Sequence, residues 1–191
     1  YRKALGKYYA QAPGIAGGDK EQALAIAARL EQQDPLQGQL LQLEVLFSAE
    51  DTAAAEKLIE NSALLQSRPE PYFMRGVGLA QNRDYQAAML EFSRASEKQV
   101  ADEEGQRNRL LALYQLGRAS VLAKTEPQQG IDALNEFLAD GRMADFNDWA
   151  QFRLSQLYLA QDQRAKAEAI LTPLLASTAD DNLKSEIKKI L

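Results

Sequence analysis

Residues 71–95 read PYFMRGVGLAQNRDYQAAMLEFSRA, and the spacing of large and small side chains within them decides the fold. Tyr72, Arg75-Gly76 and Leu79 stand three to four positions apart, as on one face of a helix. A polar turn, Asn82-Arg83-Asp84, follows. Ala88, Phe92 and Ala95 then mark the face of a second helix. Gly76 and Ala88 are small where two helices must cross closely, and Tyr72, Leu79 and Phe92 fill the remaining space. Asp84 has the chemistry of an N-cap for the second helix.

The unit recurs along the chain. Leu113, Leu116-Gly117 and Ser120 precede Gly130 and Leu134, with the longer turn Lys124-Thr125-Glu126-Pro127 between them. Leu154-Ser155 and Tyr158 precede a turn at Asp162-Gln163, then Ala167 and Leu171. Upstream, Leu41 and Val45 precede Ala54 and Leu58, and Ala23 and Ala27 precede Pro35. The expected small positions are therefore 23, 54, 88, 130 and 167. This pattern resembles the tetratricopeptide repeat, whose period is about 34 residues. Arg75 stands where that family has leucine.

The resemblance implies an all-α fold, an α-solenoid coiled into a right-handed superhelix. About five antiparallel helix pairs are expected, at 1–35, 36–68, 69–100, 101–143 and 144–177. Leu183, Ile187, Ile190 and Leu191 then give a one-faced capping helix within 180–191. An uncapped end of such a stack exposes apolar surface. Asp19 with Gln22 reads as a capping box. Pro35, Pro69, Pro71 and Pro127 fall at element starts or between elements. Pro173 is expected to kink or end the last second helix.

Composition agrees with this reading. Ala, Leu, Gln and Glu, which lose little freedom in a helix, dominate, and no alternating β-branched run occurs. The 27 Asp and Glu against 22 Lys and Arg leave a net charge of −5, with the cations scattered. That distribution gives no footprint for nucleic acid or anionic lipid, and no stretch is apolar enough for membrane insertion. With no histidine and no cysteine, the chain lacks thiolate nucleophiles, imidazole bases and the usual zinc ligands. The expectation is a protein that is not an enzyme and carries no cofactor or metal.

Two other patterns invite a chemical reading. The turn Gly14–Gly18 fails as a phosphate loop, because Asp19 and Glu21 flank Lys20 where glycine and a hydroxyl residue are required. Glu103-Glu104 and Asp180-Asp181 are adjacent in sequence, so on a helix they point about 100° apart and suit helix starts better than acid–base catalysis.

In the family, first helices line a concave groove. The resemblance places Leu43, Leu46, Phe47, Phe73, Val77, Tyr114, Arg118, Trp149, Phe152 and Gln156 on it, a surface suited to a peptide or protein partner. The competing reading packs some of them between repeats. The chaperone-type carboxylate clamp is missing, with Gln39, Leu43, Phe73 and Val77 at its positions. A structural scaffold that self-assembles into a homo-oligomer, or a small-ligand sensor, stand as alternatives. The chain opens at Tyr1, as expected for a fragment or processed form. Its stretch Ala12–Gly18 is similar to one in exported bacterial tetratricopeptide proteins, which implies a periplasmic or otherwise exported location.

Overall fold

The computed structural model describes Tyr9 and residues 19–191. The Ala12–Gly18 stretch and most of the expected first half of the 1–35 pair lie outside the described residues. Those described form helices and turns, with no strand among them. The order is α1 (Lys20–Glu31), α2 (Pro35–Ser48), α3 (Thr52–Glu60), α4 (Ala63–Gln66), α5 (Pro69–Gln81), α6 (Tyr85–Ser96), α7 (Glu103–Ala123) and α8 (Pro127–Asp140). A 3-10 turn (Ala144–Phe146) leads into α9 (Asn147–Ala160), α10 (Arg164–Ser177) and α11 (Asp181–Lys188).

Local chemistry sets the boundaries. Asp34, Asp51, Asp84, Asp102 and Asp180 each accept a backbone N–H of the first turn that follows, satisfying donors that a helix start leaves open. Pro35, Pro69 and Pro127 occupy first-turn positions whose N–H has no helical partner. Asp19 caps α1 through Gln22 N at 3.0 Å, but the expected box is not reciprocal. The Gln22 side chain donates to the Asp19 carboxylate at 2.9 Å instead of accepting from its N–H.

Three turns share one geometry. Glu50, Arg83 and Asp162 each adopt a left-handed φ, of 57°, 63° and 58°. The next residue's N–H returns to the carbonyl five positions back, as in Asp51 to Leu46, Asp84 to Leu79 and Gln163 to Tyr158. This is a helix end closed by a left-handed residue, held here without glycine. The longer α7–α8 turn breaks the pattern, with both Lys124 and Glu126 left-handed.

Each main helix packs on its chain neighbours, and α5 also touches α2 and α7, while α7 also touches α9. First helices therefore adjoin first helices. Small residues set how closely the partners approach. A Cβ on Gly76 would lie 2.7 Å from the Phe92 ring, and one on Gly117 2.3 Å from Leu134 Cγ. Ala23, Ala88 and Ala167 are fully buried and Gly130 is buried, as expected. The second pair corrects its register by one residue. Ala55 and Ile59 are buried, whereas Ala54 and Leu58 are only partly so. That helix also stops at Glu60, and Ser62 starts the unanticipated α4 by accepting from Leu65 N at 3.2 Å.

Pro173 neither ends α10 nor stops it early; the helix runs one further turn to Ser177. Pro173 and Ala169, whose carbonyl loses its partner, both lie on the exposed face, where water can take the vacant acceptor. At the C-terminal end, Leu183 and Ile187 of α11 are fully buried against Phe152, Leu171 and Leu174. Ile190 packs at the margin of this cluster and Leu191 is exposed.

Two ionic clusters tie helices together. Arg68, itself buried, donates to both oxygens of buried Glu70 and to Asp102, linking the start of α5 to the cap of α7. Arg75, on the apolar face marked by Tyr72 and Leu79, donates to Glu56 of α3 and to Glu91 of α6, at 2.9 Å for the latter. Arg94 also donates to Glu91. Arg75 thus forms a polar bridge between neighbouring helix pairs.

Candidate functional site

The first helices α5, α7 and α9 carry the expected surface residues at helical spacing. Phe73 and Val77 of α5 are half-buried and pack on the central cluster, with the Phe73 ring 6.0 Å from that of Phe92. Tyr114 of α7 lies half-buried between Phe137 and Phe146, at ring separations of 5.5 and 5.3 Å. Burial pushes its phenol pKa up, opposed by the nearby charges of Arg153 and Arg118. One turn along α7, Arg118 donates from Nη1 to Gln115 Oε1 at 3.3 Å.

On α9, Trp149 is half-buried. Its ring stands edge-on to Phe152 at 5.7 Å, and its Nε1 donates to Asp180 Oδ2 at 3.0 Å. The start of the capping helix is thereby fastened to this face. Gln156 accepts from Arg153 Nη1 at 2.8 Å. It also borders a cleft of about 530 Å³ between the C-terminal ends of α7 and α9, shared with Ser120, Val121, Lys124 and Leu157.

Tyr114, Arg118, Trp149 and Gln156 thus form one neighbourhood, joined through Arg153. Phe47 lies apart from it. That residue borders a separate cleft of about 520 Å³ with Glu56, Arg75 and Leu79. Three expected groove residues are core instead. Leu43 and Leu46 are buried with Leu40, Ile59 and Leu65. Phe152, at 2% exposure, is enclosed by the α11 leucine and isoleucine. It sits at the position equivalent to Phe73 and Tyr114 in the earlier pairs, but here the capping helix closes over it. Of the clamp positions, Gln39 is engaged within the fold, donating to Glu31 and accepting from Ser62.

Arg153 is the residue that sequence reasoning missed. Its guanidinium lies 5.4 Å from the Trp149 ring centre and 5.5 Å from that of Phe152, within cation–π range. Its Nε is buried and has no hydrogen-bond partner. Desolvation pushes its pKa down, with the Arg118 charge acting in the same direction and Tyr114 and Glu186 opposing. The signal was present in the sequence: Arg153 stands four residues after Trp149, on the same face of one helix.

The Asp180-Asp181 pair separates as its spacing requires. Asp180 caps α11 and accepts from Trp149, whereas Asp181 is exposed beside Lys184. Among the described residues, no cluster of three or more potential ligands is placed to hold a metal, and no helix is long and apolar enough to cross a membrane. No protein-family model, no curated protein and no solved structure matches this chain.

Proposed function

We propose that the helix pairs form a solenoid of the tetratricopeptide type, a right-handed superhelix whose first-helix face binds a peptide segment of a partner protein. The observation that carries this reading is the half-buried row Phe73, Val77, Tyr114, Arg118, Trp149 and Gln156. It lies on first helices that adjoin one another across successive pairs. Rings held by neighbouring rings, with part of their surface open to water, are preorganised contacts that cost little entropy on binding. Self-assembly through the C-terminal end has weaker support, because α11 already covers Phe152, Leu171 and Leu174.

Selection of short random peptides on the whole chain tests the proposal. Replacing Tyr114 by Ala is expected to weaken the selected peptides by roughly 2 kcal/mol, the scale of an aromatic hot spot, with helicity retained. Peptides whose affinity ignores this substitution, and also Val77→Gln, would place the binding surface elsewhere.

A further inference from the structure

Building on the peptide-binding reading, we infer that the preferred partner segment is acidic, its Asp or Glu side chains engaging Arg118 and Arg153 over the Tyr114 and Trp149 rings. Arg68, Arg75, Arg94, Arg109, Arg142 and Arg164 each meet a carboxylate within the fold, whereas Arg29, Arg83 and Arg107, away from these rings, form no ion pair among the described residues. Arg118 and Arg153 meet neutral amides, Gln115 and Gln156. Neither forms an ion pair among the described residues.

A guanidinium remains charged throughout the working pH range, so Arg153 brings an unneutralised charge into a partly desolvated place. There its Nε–H has no acceptor. Buried donors and charges are normally paired. An incoming carboxylate supplies the missing charge.

The surroundings favour the same occupant. The Arg118 charge acts on Arg153, a repulsion that a nearby anion relieves. Glu186, the acid that acts on Arg153, is occupied by Lys189 Nζ at 2.5 Å. The adjoining cleft at Gln156 adds Lys124 to its lining and has no carboxylate there. Its Val121 and Leu157 offer an apolar seat for a neighbouring side chain of the same peptide. In a chain of net charge −5, Arg118, Lys124 and Arg153 thus stand along α7, its C-cap and α9 without an ion pair among the described residues. The planar, two-pronged guanidinium suits a carboxylate, and the rings beneath it hold the plane in place.

The test uses the same peptide selection on the intact chain, followed by fluorescence anisotropy with labelled, C-terminally amidated peptides. Selected sequences are expected to be enriched in Asp or Glu. Arg118→Gln and Arg153→Gln should each weaken binding at least about tenfold, and added salt should weaken it further. Arg118→Glu, at a side chain whose only hydrogen bond among the described residues is to Gln115, should shift the selection toward basic peptides and keeps the test open if an Arg153 variant does not fold. Peptides that need Tyr114 but show no acidic preference, or that tolerate both arginine substitutions, overturn the inference and leave the binding face standing. Acid dependence that vanishes on amidation transfers recognition to a terminal carboxylate and also overturns it. Selection yielding no Tyr114-dependent peptide removes the inference and the proposed function together.

Discussion

The crossing of α7 with α8 offers a sharp test of how these helix pairs are held. Replacing Gly117 by Ala places a methyl 2.3 Å from Leu134 Cγ and 2.6 and 2.8 Å from its two methyls. Leu134 is fully buried, so its side chain cannot swing into solvent and the helices must separate. Overpacking of this kind costs about 1–3 kcal/mol. The gain of about 1 kcal/mol from exchanging glycine for alanine within a helix offsets part of it. The expected net loss is about 1 kcal/mol. Leu134→Ala alone should cost about 2–5 kcal/mol through the cavity it opens. In that background the added methyl enters vacated space, so Gly117→Ala becomes neutral or stabilising. The coupling between the two sites is therefore about 1–3 kcal/mol. Urea denaturation of the four proteins, followed by far-UV circular dichroism, measures it. Gly78, where an added Cβ meets nothing within 4 Å, is the control, and Gly78→Ala should stabilise by up to about 1 kcal/mol. Equal costs of Gly117→Ala in both backgrounds, within about 0.5 kcal/mol, would refute the close-crossing argument.

Two further outcomes follow from other contacts. Hydrogen bonds from Arg68, with help from Gly105 N, hold the Asp102 carboxyl below its ordinary value of 3.8. Its stabilising contribution is therefore complete above 3.8 and lost as the pH falls through the folded-state value. Asp102→Asn keeps the α7 cap but surrenders the charge, and should cost about 1 kcal/mol at neutral pH for this half-exposed group. The gap from the parent protein should narrow in acid, and a gap constant down the acid range in pH-dependent urea titrations would contradict the pairing. Deleting residues 179–191 should bare Phe152, Leu171 and Leu174 and produce oligomers or aggregates in light scattering; a monodisperse truncation with an unchanged urea midpoint would show that α11 is not a cap.

The amino-acid sequence by itself determined the helical class, the starts of six helices and the small positions at four of five crossings. These are local properties. A capping carboxylate sees only the next turn, a proline only its own N–H, and a small residue among large ones at helical spacing marks a close approach wherever the partner lies. The same local rules could not choose between Ala54 and Ala55, because both are small and adjacent, and only packing of α3 on α2 decides which of the two is buried. Nor could they separate Phe152 from Tyr114. The two hold equivalent places in their helices, yet α11 closes over one while the other keeps a partly open face between Phe137 and Phe146. Arg153 was hidden for the reverse reason. A charged residue at helical spacing reads as solvated surface, and only its placement over Trp149, without an ion pair among the described residues, sets it apart. Burial and charge pairing are sums over neighbours distant in sequence, so tertiary structure alone decided them.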